Sequence, residues 1–267
     1  MGEGIKVGEI RKALKKNKDL ATKPTESGGY PTKEEHWGVY DASLEAFART
    51  FLQSLPNWTD LVDSEKKNAR SAFKDYVEET LTEKEKRNLT AVEFGGPGSK
   101  LFEGFTTDFF SQTLGVCLKD IRDEHQKEQD KKLSHSVITG DILDPEKVPD
   151  NEVLIKVAET LGTNKIDLII SRLVGPLGYI DKNLAILDRI IRNWYSMLNE
   201  NGLMFIQFES YRPLPGHNRN TTMIEKWATA ISEKYPGIDI QVDGATLRLH
   251  KKTGSLEELP AATKILN

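Results

Sequence analysis

The stretch "TAVEFGGPGSK", residues Thr90–Lys100, joins an apolar run to a glycine-rich turn. A short apolar run ends on a carboxylate, Glu93, and passes into Gly95-Gly96-Pro97-Gly98-Ser99, where almost no side chain is present. In an open parallel sheet, ligands sit beyond the carboxyl ends of the strands, where the strand order reverses. A loop there must let a ligand approach the backbone, which favours glycine. A helix starting at Ser99 would add free N–H groups suited to a carboxylate or a phosphate. A Gly-Gly-Pro-Gly run also makes a good structural turn, and the stretch alone leaves both readings open.

Outward from this point the texture alternates. Apolar runs at residues 91–94, 114–118, 137–139, 166–170 and 203–208 read as strands. Residues 100–112, 121–132, 152–161 and 183–198 read as helices between them. Strand and helix at this spacing mean crossover units and a parallel sheet covered on both faces. The run at 166–170, apolar almost throughout, suits a central strand. After a helix at 221–234, two alternating runs, 237–242 and 245–251, meet at Asp243-Gly244, a strong hairpin signal. The predicted fold class is α/β: a doubly wound sheet, mostly parallel, with an antiparallel C-terminal hairpin. Before residue 88 the pattern is helical, with apolar stripes over 41–55 and 64–81. Residues 1–88 are read as a helical extension or lid, and 89–267 as the main domain.

A chain of 267 residues builds a sizeable core. Hydrophobic content of 37% with 29% charged residues is ordinary for a soluble globular protein. No apolar run reaches the roughly 18–20 residues that cross a bilayer, and the N-terminus lacks the apolar core of a secretory signal. One cysteine, Cys117, permits no internal disulfide, so a cytoplasmic setting is expected. A net charge of −4 argues against a sequence-independent nucleic-acid binder, although residues 6–23 are locally basic. Self-association into a homo-oligomer is compatible with everything read so far.

Two further acids stand at the ends of strands. Asp120 follows the second, where a carboxylate accepts two hydrogen bonds from a ribose diol, and Asp141 follows the third. Each has a structural alternative: Asp120 as a cap for a helix at Ile121, Asp141 as a turn residue before Pro145. Together, AVEFGGPGS, VCLKD, TGDILD, KIDLIIS, SMLNENGLMFIQF and the closing DGATLRLHKK resemble the class I S-adenosylmethionine-dependent methyltransferases, over roughly the C-terminal two-thirds of the chain. The resemblance implies a Rossmann-like fold, S-adenosylmethionine as cofactor, and a reversed last strand that a nicotinamide-dependent dehydrogenase lacks. It implies that Glu93 and Gly95, Gly96, Gly98 and Ser99 hold the methionine moiety. Asp120 would take the ribose hydroxyls, Asp141 with Ile142 the adenine, and Ser171 and Arg172 would face cofactor and substrate. The family's Gly-x-Gly-x-Gly departs here: Pro97 and Ser99 occupy the second and third glycine places.

For the acceptor, the sequence after the fourth strand, Ser171-Arg172-Leu173-Val174-Gly175-Pro176, carries no Asn-Pro-Pro-Tyr-like motif, and there is no Pro-Cys nucleophile or acidic metal triad. A small-molecule acceptor follows by elimination, with no metal expected. His217 is a candidate general base or an exposed loop histidine; Arg172 is grouped with it as a catalytic candidate, and Tyr211 and Arg212 as substrate contacts. Tyr30, His36, Trp37 and Tyr40 would close over the site as a lid or pin the extension to the core. The competing reading is a protein of the same fold that has lost catalysis and serves binding or regulation.

Overall fold

The computed structural model describes residues 43–52, 54–55, 68–82, 88–117, 119–140, 142, 152–172, 184–207, 221–243 and 246–265. Seven strands form one sheet: β1 (Thr90–Phe94), β2 (Gln112–Cys117), β3 (His135–Thr139), β4 (Ile166–Arg172), β5 (Leu198–Gln207), β6 (Ile238–Asp243) and β7 (Thr246–Lys251). Their order is β3-β2-β1-β4-β5-β7-β6. The first five run parallel, and β7 enters antiparallel between β5 and β6. The predicted hairpin is thus present, with Asp243 opposite Thr246. The chain builds outward from β1 through β2 to β3, then returns to β4 on the other side, so the order reverses between β1 and β4. That is where an open α/β sheet opens a crevice at its carboxyl edge.

Alternation along each strand sends successive side chains to opposite faces. Val92, Phe94, Leu114, Val116, Ile169, Met204, Ile206, Leu247 and Leu249 enter one core. There they meet α5 (Glu152–Leu161), α6 (Leu184–Met197) and α7 (Thr221–Lys234). Phe94 stacks on Trp194 of α6 at 4.6 Å with 9° between the rings, which anchors the end of β1. Ala91, Leu168, Ile170, Leu203 and Phe205 point the other way, onto α1 (Leu44–Leu52), α2 (Ala69–Thr82) and α3 (Ser99–Phe102). Phe47, Phe51, Phe73 and Phe205 form an aromatic chain across this interface, with centroids 4.9 to 5.7 Å apart.

The N-terminal helices are therefore the cover of one sheet face. Arg248 of β7 adds a polar tie: buried to 1% exposure, it donates from Nε to the Ser54 carbonyl (2.9 Å) and forks onto Asp239 (2.8 and 2.9 Å).

Two predicted helices are shorter than expected. The one predicted for 100–112 is a single turn, Ser99–Phe102. Asp108 then takes a left-handed conformation (φ 63°), while Phe105 and Phe110 fold back onto Phe102, so residues 103–111 spend their apolar content as an irregular plug. The helix predicted from Ile121 is α4, Glu124–Lys132. Its cap is Asp123, which accepts from the Gln126 amide at 2.8 Å, so Asp120 is not the capping residue. A four-residue helix, α8 (Ala262–Ile265), packs near α6 and α7. Among the described residues no helix is long and apolar enough to cross a membrane.

Candidate functional site at the carboxyl edge of the sheet

The glycine loop does not simply leave the sheet. Gly95, at φ 106°, turns the chain, its amide donates to the Val116 carbonyl (2.8 Å), and Gly96 bridges Val116 in antiparallel sense. The loop thus runs back along β2 before α3 begins. Gly115 makes room for it: a Cβ there would fall within the Pro97 carbonyl and stand 2.7 Å from the Pro97 Cα. That carbonyl accepts from His135 Nε2 at 2.8 Å, and the other ring nitrogen, Nδ1, lies 2.7 Å from Thr113 Oγ1. A carbonyl can only accept, so Nε2 carries the proton and the Thr113 hydroxyl donates to Nδ1 of the neutral ring. Burial depresses the histidine's basicity and keeps it neutral. Pro97, which takes the second glycine place of the family's pattern, is the residue whose carbonyl seats the loop.

Glu93 lies beneath this turn, 2% exposed. A Cβ at Gly96 would stand 2.7 Å from both its carboxylate oxygens, so only a glycine lets the turn pass this closely over the carboxylate. Ser171, at the end of β4, is fully buried and donates to the Phe94 carbonyl at 2.8 Å, locking the two strand ends that flank the reversal point. Arg172 closes β4 directly after it.

Asp120 stands just past the end of β2 with its side chain 28% exposed. Its Oδ1 accepts from the Arg122 backbone N–H (3.1 Å) and Nε (3.0 Å), and its Oδ2 from Nη2 (2.8 Å). Partial burial opposes ionisation of Asp120, but the bonds from Arg122 outweigh it and hold the carboxyl below its ordinary range. The neighbouring thiol registers the local field. Burial first, then the charges of Asp120 and Glu93, push Cys117 up to about 12. Two carboxylates thus face one small region at the ends of β1 and β2.

Ile142, past the end of β3, is buried in the same core as Val153. Ser99, grouped with the loop by sequence, is 2% exposed and donates its hydroxyl to Asp130 at 2.7 Å. Asp141, Tyr30, His36, Trp37, Tyr40, Tyr211, Arg212 and His217 lie outside the described residues. The structure thus brings together Glu93, Gly95, Gly96, Asp120 and Ser171 around the ends of β1, β2 and β4. It adds Gly115, Arg122, Asp130 and His135, which sequence reading did not single out. Only Arg122, two residues after a strand-end acid, carried a local signal; the others depend on contacts from distant elements.

No family model and no curated protein sequence matches the chain. Among solved structures, the chain is similar to a phosphoethanolamine N-methyltransferase from Haemonchus contortus (13% identity, TM-score 0.39), over 84% of this chain and 52% of that one. The chain therefore spans about half of that protein's length. It is also similar to a TehB-like SAM-dependent methyltransferase from Corynebacterium glutamicum (15% identity, TM-score 0.36; 78% of this chain, 99% of the other). A third likeness is to an O-methyltransferase family protein from Burkholderia thailandensis (13% identity, TM-score 0.38; 72% and 61%). The strand order and the strand-end residues, rather than these likenesses, carry the functional reading.

Proposed function

We propose that the carboxyl edge of this sheet binds S-adenosylmethionine and that the protein transfers its methyl group to a small-molecule acceptor. One observation carries the reading: two strand-end carboxylates, Glu93 and Asp120, flank a glycine turn beside the reversal point of a sheet whose seventh strand runs backward. The residues fit the cofactor. Asp120 suits a ribose, since its ionised carboxylate keeps one acceptor site on Oδ2 for a ribose hydroxyl beside the three that Arg122 fills. Glu93, directly beneath Gly96, suits the cationic amino-acid end. In this reading Ile142, a buried apolar residue past the end of β3, packs on the adenine.

When bound, the cofactor supplies an activated methyl group on a sulfonium. The chain's own part is to orient it and hold the acceptor in line, which is where most of the rate advantage of such displacements arises. Ser171 fixes the spacing of β1 and β4 under the reaction zone. In this reading Arg172 and the 209–219 segment, with Tyr211, Arg212 and His217, receive the acceptor, His217 taking its proton where one must leave. Residues 30–40 close over the site.

A second reading, a non-catalytic binding or regulatory protein of the same fold, is favoured by one observation: Arg122 already supplies three hydrogen bonds to Asp120. Methyl-labelled S-adenosylmethionine, incubated with the protein and separately with a metabolite-sized extract or a protein fraction, decides between them. Label entering the small-molecule fraction is expected. Label entering only protein would overturn the acceptor class, and bound cofactor without transfer would favour the second reading.

A further inference from the structure

Asp120 is the outer end of a chain of charges that runs into the protein. Beyond its fork onto Asp120, Arg122 donates from Nη1 to Asp130 Oδ2 at 2.6 Å. The same oxygen accepts the Ser99 hydroxyl at 2.7 Å, and Asp130 Oδ1 accepts from Gln126 Nε2 at 2.9 Å. Exposure falls inward along the chain: Asp120 28%, Arg122 10%, Asp130 1%. Only the Asp120 end can meet a ligand. Asp130 reaches the glycine loop from the other side, because Ser99 opens the turn of α3 directly after Gly98.

Resting on the proposed cofactor reading, we infer that Arg122 and Asp130 are positioning residues that tie the ribose-binding carboxylate of Asp120 to the glycine loop, so that the two halves of the cofactor site are held in register. Three arguments support this. A lone strand-end aspartate has rotational freedom, whereas the planar guanidinium fork fixes its plane. Of the roughly four lone-pair sites on a carboxylate, Arg122 occupies three, which leaves Oδ2 as the atom with capacity for a ligand hydroxyl. Burying Asp130 and Arg122 is costly in desolvation, and a hydrophobic pair of similar size would serve the fold as well. Their arrangement is explained by what it holds in place at the rim.

The test uses the full chain, calorimetric titration with S-adenosylhomocysteine, and 5′-methylthioadenosine as a fragment that keeps the ribose and lacks the amino-acid half. Asp130→Asn keeps the shape and removes the charge from a residue no ligand can touch. It is expected to weaken S-adenosylhomocysteine and the fragment about tenfold each. For the fragment, Asp120→Asn/Asp130→Asn should bind no more than about twofold worse than Asp120→Asn alone, because Asp130 acts on the ribose through Asp120. Losses that multiply in the double variant, or unchanged affinities with only a lower melting temperature, would overturn the inference and leave a structural role. Should Asp130→Asn fail to fold, Ser99→Ala removes one bond and keeps the ion pairs. It should weaken S-adenosylhomocysteine about threefold, and an unchanged affinity there would also overturn the inference. Absence of binding by the unaltered protein would overturn the cofactor reading itself, and the inference with it.

Discussion

Replacing Gly115 with alanine tests how the loop is seated, because local preference and tertiary contact pull in opposite directions. A glycine inside a strand is a liability: by backbone entropy alone, Gly→Ala there should stabilise the protein by roughly 0.5–1 kcal/mol. Here the new methyl group would stand 2.7 Å from the Pro97 Cα and within the Pro97 carbonyl. Carbon atoms pack at about 3.5–4.0 Å and the Pro97 carbonyl carbon would stand 2.2 Å away, so the loop must withdraw by about 1.5 Å. The obstacle is backbone, not the end of a flexible side chain, so no rotamer change relieves it. Overpacking of this kind costs about 1–3 kcal/mol. Withdrawal also breaks the His135 bond to the Pro97 carbonyl, at about 1 kcal/mol for a buried pair left unsatisfied. The net expectation is a loss of about 2–3 kcal/mol, against the gain that propensity alone implies. Urea denaturation at 25 °C with an unchanged m-value measures it. A neutral or stabilised Gly115→Ala would refute the proposed seat of the loop.

Other consequences follow from the same contacts. His135 is less basic folded than the 6.5 of a free imidazole, so the unfolded chain binds the extra proton. Its contribution to stability is complete above pH 6.5 and declines as pH falls below that value; His135→Gln should flatten the fall in melting temperature over that range, and an equally steep fall would contradict the assignment. Arg248→Ala leaves Asp239 without its fork and Ser54 without its donor, and should destabilise by about 3 kcal/mol while loosening the N-terminal helices in hydrogen exchange. Uniform loosening of the whole domain would show that Arg248 does not act as a tie between helices and sheet. Cys117, buried and pushed up to about 12, should resist a thiol reagent at pH 8 until the protein is unfolded, and rapid labelling of the native protein would argue against the negative, closed surroundings described for it.

The sheet was legible because its signals are local and repeated. Alternating apolar runs separated by helical periods, with an Asp-Gly turn at the end, leave little topological freedom, and the hairpin places β7 antiparallel. The strand-end acids were legible for the same reason: Glu93 and Asp120 sit where a parallel sheet exposes its carboxyl edge. What escaped was set by tertiary contact. The short α3 follows from Phe102, Phe105 and Phe110 closing on one another and Gly104 packing against Leu44, a residue 60 positions earlier, which no helical period reveals. Gly115 reads as an ordinary weak strand residue until Pro97 is laid upon it. Asp130, in the most polar helix among the described residues, reads as solvated surface until Arg122 and Ser99 converge on it.

Whether this edge of the sheet holds S-adenosylmethionine through Asp120 is decided by calorimetric titration of the intact chain with S-adenosylmethionine, S-adenosylhomocysteine and NADH, repeated on Asp120→Asn. Binding of both methionine-derived ligands, none of NADH, and a loss in the variant of about 2–4 kcal/mol, or roughly 30- to 1000-fold, are expected. Absence of binding by the intact protein, or affinity that survives Asp120→Asn unchanged, would contradict that reading.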